Sequence, residues 1–181
     1  MDLAALAVAL RGVTVELTDA DAGPAIGSGV VWAPELVVTN AHVVPGSHPR
    51  VRRADGGMAR GRVVTRDRQA DLALLHVPEL GLPVATVGSA AELRVGSLLV
   101  AVGHPFGFRG ALTTGIVHAL DSRGRASRSW IQGDLRLGPG NSGGPLADAR
   151  GRVVGINAMI VGGLALAIPA SEVTRFVQAA G

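Results

Sequence analysis

The sequence predicts an all-β fold: two six-stranded antiparallel β-barrels followed by a C-terminal helix. Three observations support this. Short apolar runs rich in Val, Ile and Leu recur along the chain, bounded by Gly, Pro, Asp or Asn, as strands between turns are. They form two sets of six around a stretch with little periodicity. Helical spacing of useful length is confined to the tail.

Taken in order, Leu3 to Leu10 is apolar but too short to span a bilayer, and Asp2 stands where a signal peptide wants positive charge. It reads as a short N-terminal helix packed on the barrel. Strands follow at Val13–Leu17, Ile26–Trp32 and Leu36–Thr39, split by the Asp19–Pro24 turn cluster and by Pro34. The first set ends with Arg50–Arg53, Gly61–Arg66 and Leu72–His76. A connector runs from Glu79 to Gly96. The second set is Ser97–Gly103, Leu112–Ala119, Ser129–Gln132, Pro145–Asp148, Val153–Val161 and Leu164–Ile168. The last two form a hairpin, because Gly162-Gly163 between β-branched runs is a turn signal and Asn157 interrupts what could pass for a membrane span. In the tail, Ser171 can cap a helix whose Val173, Phe176, Val177 and Ala180 fall at i, i+3, i+4 and i+7. The expected organisation is one domain over 1–181. Its N-terminal barrel covers about 12–80, its connector 81–96, its C-terminal barrel 97–169 and its helix 171–180.

Composition agrees. A hydrophobic content of 48% excludes a disordered chain, and 26 Gly with 10 Pro suits many short strands joined by turns. The absence of cysteine removes disulfides and thiolate metal sites. An isoelectric point of about 11.1 suggests nucleic acid, but misleadingly. All 17 basic residues are arginine, and there is no Lys, Tyr or Cys to titrate between histidine and arginine. A formal charge of +3, scattered among 14 acids, is a solvated surface rather than a nucleic-acid footprint. No ligand cluster has metal-site spacing, so neither metal nor other cofactor is expected.

Chemistry enters at Gly140-Asn141-Ser142-Gly143-Gly144-Pro145-Leu146, a serine on a tight, glycine-lined turn. Neighbours without side chains let a carbonyl approach Ser142 and leave the Gly140 and Ser142 N–H groups free to meet its oxygen. A serine hydroxyl needs a base and an orienting carboxylate. Thr39-Asn40-Ala41-His42-Val43-Val44 and Asp71-Leu72-Ala73-Leu74-Leu75 supply them.

These segments, in the order His, Asp, Ser, resemble the chymotrypsin-fold serine proteases and more closely the HtrA/Deg branch. The likeness continues through Gly27-Ser28-Gly29-Val30, Gly103-His104-Pro105-Phe106-Gly107 and Gly155-Ile156-Asn157-Ala158, and covers the chain from about Val13 to Val177. The resemblance implies two barrels of the chymotrypsin type. It implies a triad of His42, Asp71 and Ser142, and an oxyanion hole on Gly140, Asn141 and Ser142. Its substrate pocket would be lined by Leu137, Met159, Ile160 and Val161. That pocket suits small or aliphatic side chains; Arg136 turned outward is a solvated loop residue, and turned inward it would favour acidic side chains. Each of His48, His76, His104 and His118 reads instead as a structural or surface histidine.

An uncharged Asn141 cannot pair with a newly cut amino terminus, so activation by N-terminal cleavage is not expected. The branch suggests loop switching instead, with candidates at Asp121–Arg128, Leu135–Pro139 and the turn around Gly162, and with Gly138-Pro139-Gly140 able to flip and collapse the oxyanion hole. The expected activity is endopeptidase action on unfolded or extended polypeptide substrates. The alternative is a catalytically silent or gated peptide-binding module. Relatives commonly form trimers and continue into PDZ domains, so a homo-oligomer and a PDZ domain in a longer protein are both compatible. No membrane segment is expected. The cell envelope is the expected location if the chain is cut from a longer HtrA-like protein, the cytoplasm otherwise.

Overall fold

The computed structural model describes residues 2–18, 27–121 and 129–181. The Asp19–Pro24 turn cluster, Ile26 and most of the Asp121–Arg128 gating candidate lie outside the described residues. The order is α1 (Leu3–Gly12), β1 (Thr14–Thr18), β2 (Gly27–Ala33), β3 (Leu36–Thr39), β4 (Arg50–Arg52), β5 (Met58–Arg60), β6 (Arg62–Asp67) and β7 (Leu72–His76). After the connector come β8 (Leu98–Gly103), β9 (Ala111–Asp121), β10 (Trp130–Asp134), β11 (Pro145–Asp148), β12 (Val153–Val161), β13 (Leu164–Pro169) and α2 (Ala170–Gln178).

The second set closes as a barrel in the order β10-β13-β12-β11-β8-β9. The first is a seven-stranded curled sheet, β5-β4-β1-β2-β3-β7-β6, one strand more than the sequence suggested. The extra strand is β5, whose Met58 and Arg60 are exposed and carry no apolar alternation. β5 and β6 flank Gly61, so the two ends of the sheet meet at one residue. There the Gly61 and Val63 N–H groups donate to the Pro49 and Ser47 carbonyls, both at 2.9 Å. The half-barrel thus curls round to touch itself.

Strands buried on both faces explain the unbroken apolar runs. In β7, Ala73 and Leu75 fill the first barrel, while Leu72 and Leu74 face a core shared by the barrels. In β8, Leu99 and Ala101 fill the second barrel, and Val100 and Val102 face the shared core. With a side-chain period of two, a one-residue slip would exchange these sets. Burial of these four seam residues contributes roughly 1.5–3 kcal/mol each and helps fix how the barrels meet.

Both helices pack on that core, α1 through Leu6 and Leu10, α2 through Val173, Phe176 and Val177. Asp2 caps α1, its carboxylate accepting from the Ala4 and Ala5 N–H groups at 2.9 and 3.2 Å. Ser171 does not cap α2. Pro169 holds that position without a side-chain bond, because β13 runs directly into the helix and leaves Ser171 inside its first turn. The β12–β13 hairpin turns at Gly162 and Gly163, whose φ values are +59° and +84°. Among the described residues, no helix is long and apolar enough to cross a membrane.

Candidate active site

Antiparallel register brings the first two groups together. β3 pairs with β7 so that Thr39 faces Ala73, which sets the residues just after β3 beside those just before β7. His42 lies in the 3₁₀ turn Ala41–Val43 that follows β3, and Asp71 directly precedes β7. The Asp71 carboxylate accepts the His42 backbone N–H at 3.1 Å and ring Nδ1–H at 3.0 and 2.9 Å. An ionised carboxylate only accepts, so Nδ1 bears the proton and Nε2 keeps its lone pair. The hydrogen bond to Asp71 raises the His42 pKa above its ordinary value of 6.5. Partial burial works against this, and the carboxylate's charge adds to it.

Asp71 has φ +52°, an uncommon conformation that Asp tolerates better than most residues. The Asn40 side-chain amide holds it there by donating to the Asp71 carbonyl at 3.0 Å. Asn40 figured in the sequence only as context for His42; its amide holds the residue that in turn holds the His42 ring.

The serine turn is organised peptide by peptide. The Pro139 carbonyl accepts from Phe106 N–H at 3.0 Å, that of Gly140 from His104 N–H at 3.2 Å, and that of Asn141 from Gly144 N–H at 3.0 Å. In a trans peptide the N–H points opposite the carbonyl. Each anchored carbonyl therefore turns the N–H of the next residue away from its anchor. Asn141 N–H is taken by Gly138 at 3.0 Å, whereas Gly140 and Ser142 N–H have no partner among the described residues. Of the three residues expected in the oxyanion hole, Asn141 thus lacks a free N–H because its amide closes the turn.

Glycine is required here. Gly140 has φ +104°, and a Cβ on it would lie 2.2 Å from the His104 carbonyl oxygen. Gly143, at φ +82°, would meet the Ser28 carbonyl oxygen at 2.1 Å. Gly27 sits between the two halves. A Cβ there would be 2.6 Å from Val43 Cγ1 and 3.0 Å from the Ser142 carbonyl oxygen, so the histidine and serine segments converge on it.

The Ser142 hydroxyl donates to the Ala158 carbonyl at 3.1 Å. No hydrogen bond joins it to His42, although both residues are described. The cavity beside Ser142, about 220 Å³, is lined by Leu137, Gly138, Pro139, Met159 and Ile160 among others. Val161, expected there, is not a lining residue; it pairs with Leu164 at the hairpin end and is exposed. Arg136 is exposed too. Asn157 and Ala158, also lining the cavity, were not singled out as pocket residues. What Ala158 supplies is a backbone oxygen, for which no side chain gives a signal.

Residues 27–156 match the trypsin-like peptidase domain. Serine protease HTRA1 of Xenopus laevis is 38% identical over 163 residues, covering 84% of this chain and 36% of that protein. A probable periplasmic serine endoprotease DegP-like of Ectopseudomonas mendocina (strain ymp) is 40% identical over 170 residues, covering 86% of this chain and 36% of its own length. The chain thus spans about a third of the curated relatives it matches. Among solved structures, HtrA-type protease AlgW with a tripeptide superposes with a TM-score of 0.87 at 33% identity, over 96% of this chain and 62% of that one. AlgW with a decapeptide gives 0.86 at 28% identity, over 97% and 66%. The chain belongs to the trypsin-like peptidase family and is an HtrA-like, trypsin-fold protease domain.

Proposed function

We propose that this domain is a serine endopeptidase acting on extended polypeptide segments through Ser142, His42 and Asp71. One observation supports this above the others. The segment of a histidine already oriented by a carboxylate packs through Val43 on Gly27, which the Ser142 carbonyl also approaches, and the serine turn has two N–H groups unpaired among the described residues. In the proposed reaction, Ser142 leaves the Ala158 carbonyl by rotation about χ1, and its Oγ attacks the scissile carbonyl carbon. His42 Nε2 takes the hydroxyl proton, and the Gly140 and Ser142 N–H groups receive the developing oxyanion. His42 then gives that proton to the leaving amine as the C–N bond breaks. Water, deprotonated by the same nitrogen, attacks the acyl carbon, and Ser142 Oγ leaves with the proton returned from His42.

The apolar cavity formed by Leu137, Met159 and Ile160 suits small or aliphatic side chains at the cleavage site. AlgW was solved with a decapeptide and with a tripeptide, which is in keeping with peptide ligands for this domain. Periplasmic DegP-like relatives favour an extracytoplasmic location. A PDZ domain and assembly into a homotrimer belong to the same proposal for a longer protein.

Casein hydrolysis by the wild type and by Ser142→Ala tests the reading, with retained cleavage in the variant removing Ser142 as nucleophile. The Ser142–Ala158 bond favours a second reading, a gated site that holds peptide before it cuts. Immediate labelling of Ser142 by a fluorophosphonate without any activator would count against gating. Cleavage only after Arg, in a panel with Val, Ala, Leu, Arg and Asp at the scissile position, would refute the aliphatic pocket.

A further inference from the structure

Behind the serine turn lies a polar chain that none of the proposed catalytic groups includes. Ser28 in β2 belongs to the first barrel and is fully buried; His104, in the loop after β8, is 4% exposed. Ser28 Oγ is 2.7 Å from the Gly140 carbonyl oxygen and 2.9 Å from His104 Nδ1. A hydroxyl has one proton, and a carbonyl can only accept, so Ser28 donates to Gly140. The His104 Nδ1 must then be the donor to Ser28, which fixes its tautomer. Ser28 also gives its backbone N–H to the Ser142 carbonyl at 2.8 Å, and its own carbonyl accepts from Thr39 Oγ1 at 2.7 Å. Every polar atom of Ser28 is thereby engaged, two of them on the serine turn of the opposite barrel.

We propose that Ser28 and His104 are positioning residues for the oxyanion hole: His104, donating from Nδ1, commits the Ser28 hydroxyl to the Gly140 carbonyl and so fixes the peptide between the two oxyanion donors. That peptide, Gly140–Asn141, sets the angle between Gly140 N–H and Ser142 N–H. Its anchors from opposite sides of the seam make the hole depend on how the barrels dock.

The surroundings favour the neutral ring. His104 borders a cavity of about 220 Å³ that Arg11 of α1 and Arg109 also line. Arg52 of β4 lies near, and Glu16 of β1 faces Arg52 and Arg109 at 3.6 and 3.9 Å. Burial, followed by the charges of Arg109 and Arg52, lowers the His104 pKa to about 4. With Nδ1 carrying the proton, the Nε2 lone pair is left without a partner among the described residues, on a ring in a predominantly cationic setting.

The proposal rests on the proteolytic reading for its kinetic consequence but not for its geometry, and the test separates the two. Heteronuclear NMR of the ¹⁵N-labelled full chain should show His104 as the Nδ1–H tautomer. Ser28→Ala and His104→Leu should lower kcat on an aliphatic peptide by about tenfold or more, with KM within about twofold, because the donors are misplaced rather than removed. His104→Asn, which can present an amide N–H near the Nδ1 position, should recover most of the loss. An Nε2–H tautomer, or Ser28→Ala with wild-type kcat, overturns the proposal. Should the wild type neither cleave nor label, the proteolytic reading fails alone. Amide exchange at Asn141 then decides: about tenfold faster in Ser28→Ala supports the prop, and an unchanged rate overturns it.

Discussion

The two halves of the site are built by different means. In the first barrel, His42 and Asp71 come from neighbouring strand ends and are joined by three short contacts, at 2.9–3.1 Å. Adjacent strands in register make that dyad, and it needs nothing from the second barrel. In the second barrel, the serine turn relies on carbonyl anchors supplied by other loops. One anchor, Ser28, crosses the seam. On the proposed reading the base is therefore preassembled, while the nucleophile and oxyanion donors are conditional on loop and barrel packing. A defect in the first half should abolish chemistry with the protein intact. In the second half it should grade activity according to how far the turn relaxes.

The largest expected effect is in the first half. In Asp71→Asn the remaining side-chain oxygen can keep the His42 backbone N–H, which leaves an amide NH₂ facing ring Nδ1. That forces the Nε2–H tautomer, which cannot accept the serine proton. We expect kcat to fall by about 10⁴ with the fold unchanged. Comparison of kcat and thermal melting in wild type and variant checks it; loss below about tenfold would make the dyad dispensable.

Next comes the conditional half. In Gly140→Ala the new Cβ would sit 2.2 Å from the His104 carbonyl oxygen, at a φ of +104° that alanine avoids. The turn must shift and lose an oxyanion donor, which costs about 10² to 10³ in kcat. His42 should titrate as in the wild type, since its partners lie in the other barrel. A His42 NMR titration that moved along with kcat would erase the distinction between the halves.

The sequence revealed these halves unequally. Apolar runs and turn residues disclosed the strands, and the Gly162-Gly163 pair located the last hairpin. β5 went unseen because Met58-Ala59-Arg60 is an exposed edge with no alternation to read. His42, Asp71 and Ser142 stood out because each carries its chemistry in a side chain set in a recognisable local run. The anchors of the turn did not, being backbone carbonyls or side chains that act on them. Ser28 stood only within a Gly-Ser-Gly-Val run that resembles the HtrA/Deg branch, with no role attached, and His104 reads as a structural histidine, which in packing terms it is. Asn141 belongs to the oxyanion hole only by family resemblance, and the turn geometry shows its N–H spent on Gly138.

A smaller effect concerns acid stability, and it separates the two histidines. The His104 pKa lies near 4 in the folded chain against 6.5 ordinarily. Between those values the unfolded chain binds the extra proton and the folded chain does not. This contribution is complete above about pH 6.5 and is lost as pH falls toward 4, amounting to roughly 3 kcal/mol at most. Urea unfolding at pH 7 and pH 4.5 should show a steeper loss for the wild type than for His104→Asn. Equal losses would mean that His104 does not titrate out of reach of solvent.

His42 should behave in the opposite sense. Its folded pKa is raised, chiefly by the hydrogen bond to Asp71, so the folded chain holds the proton more tightly than the unfolded one. The stability it contributes is present below pH 6.5 and disappears as pH rises through the raised value. The proposed catalysis has the reverse requirement, because only neutral His42 could accept the Ser142 proton. On the acidic side kcat/KM should drop about tenfold per pH unit, with a midpoint above 6.5. In Ser142→Ala the dyad persists, and NMR should report the same raised pKa. In Asp71→Asn both the hydrogen bond to a carboxylate and its charge are gone, and the His42 midpoint should move down. A midpoint at or below the ordinary histidine value in Ser142→Ala would show the dyad uncoupled in solution, and the base would then be no more preassembled than the serine it serves.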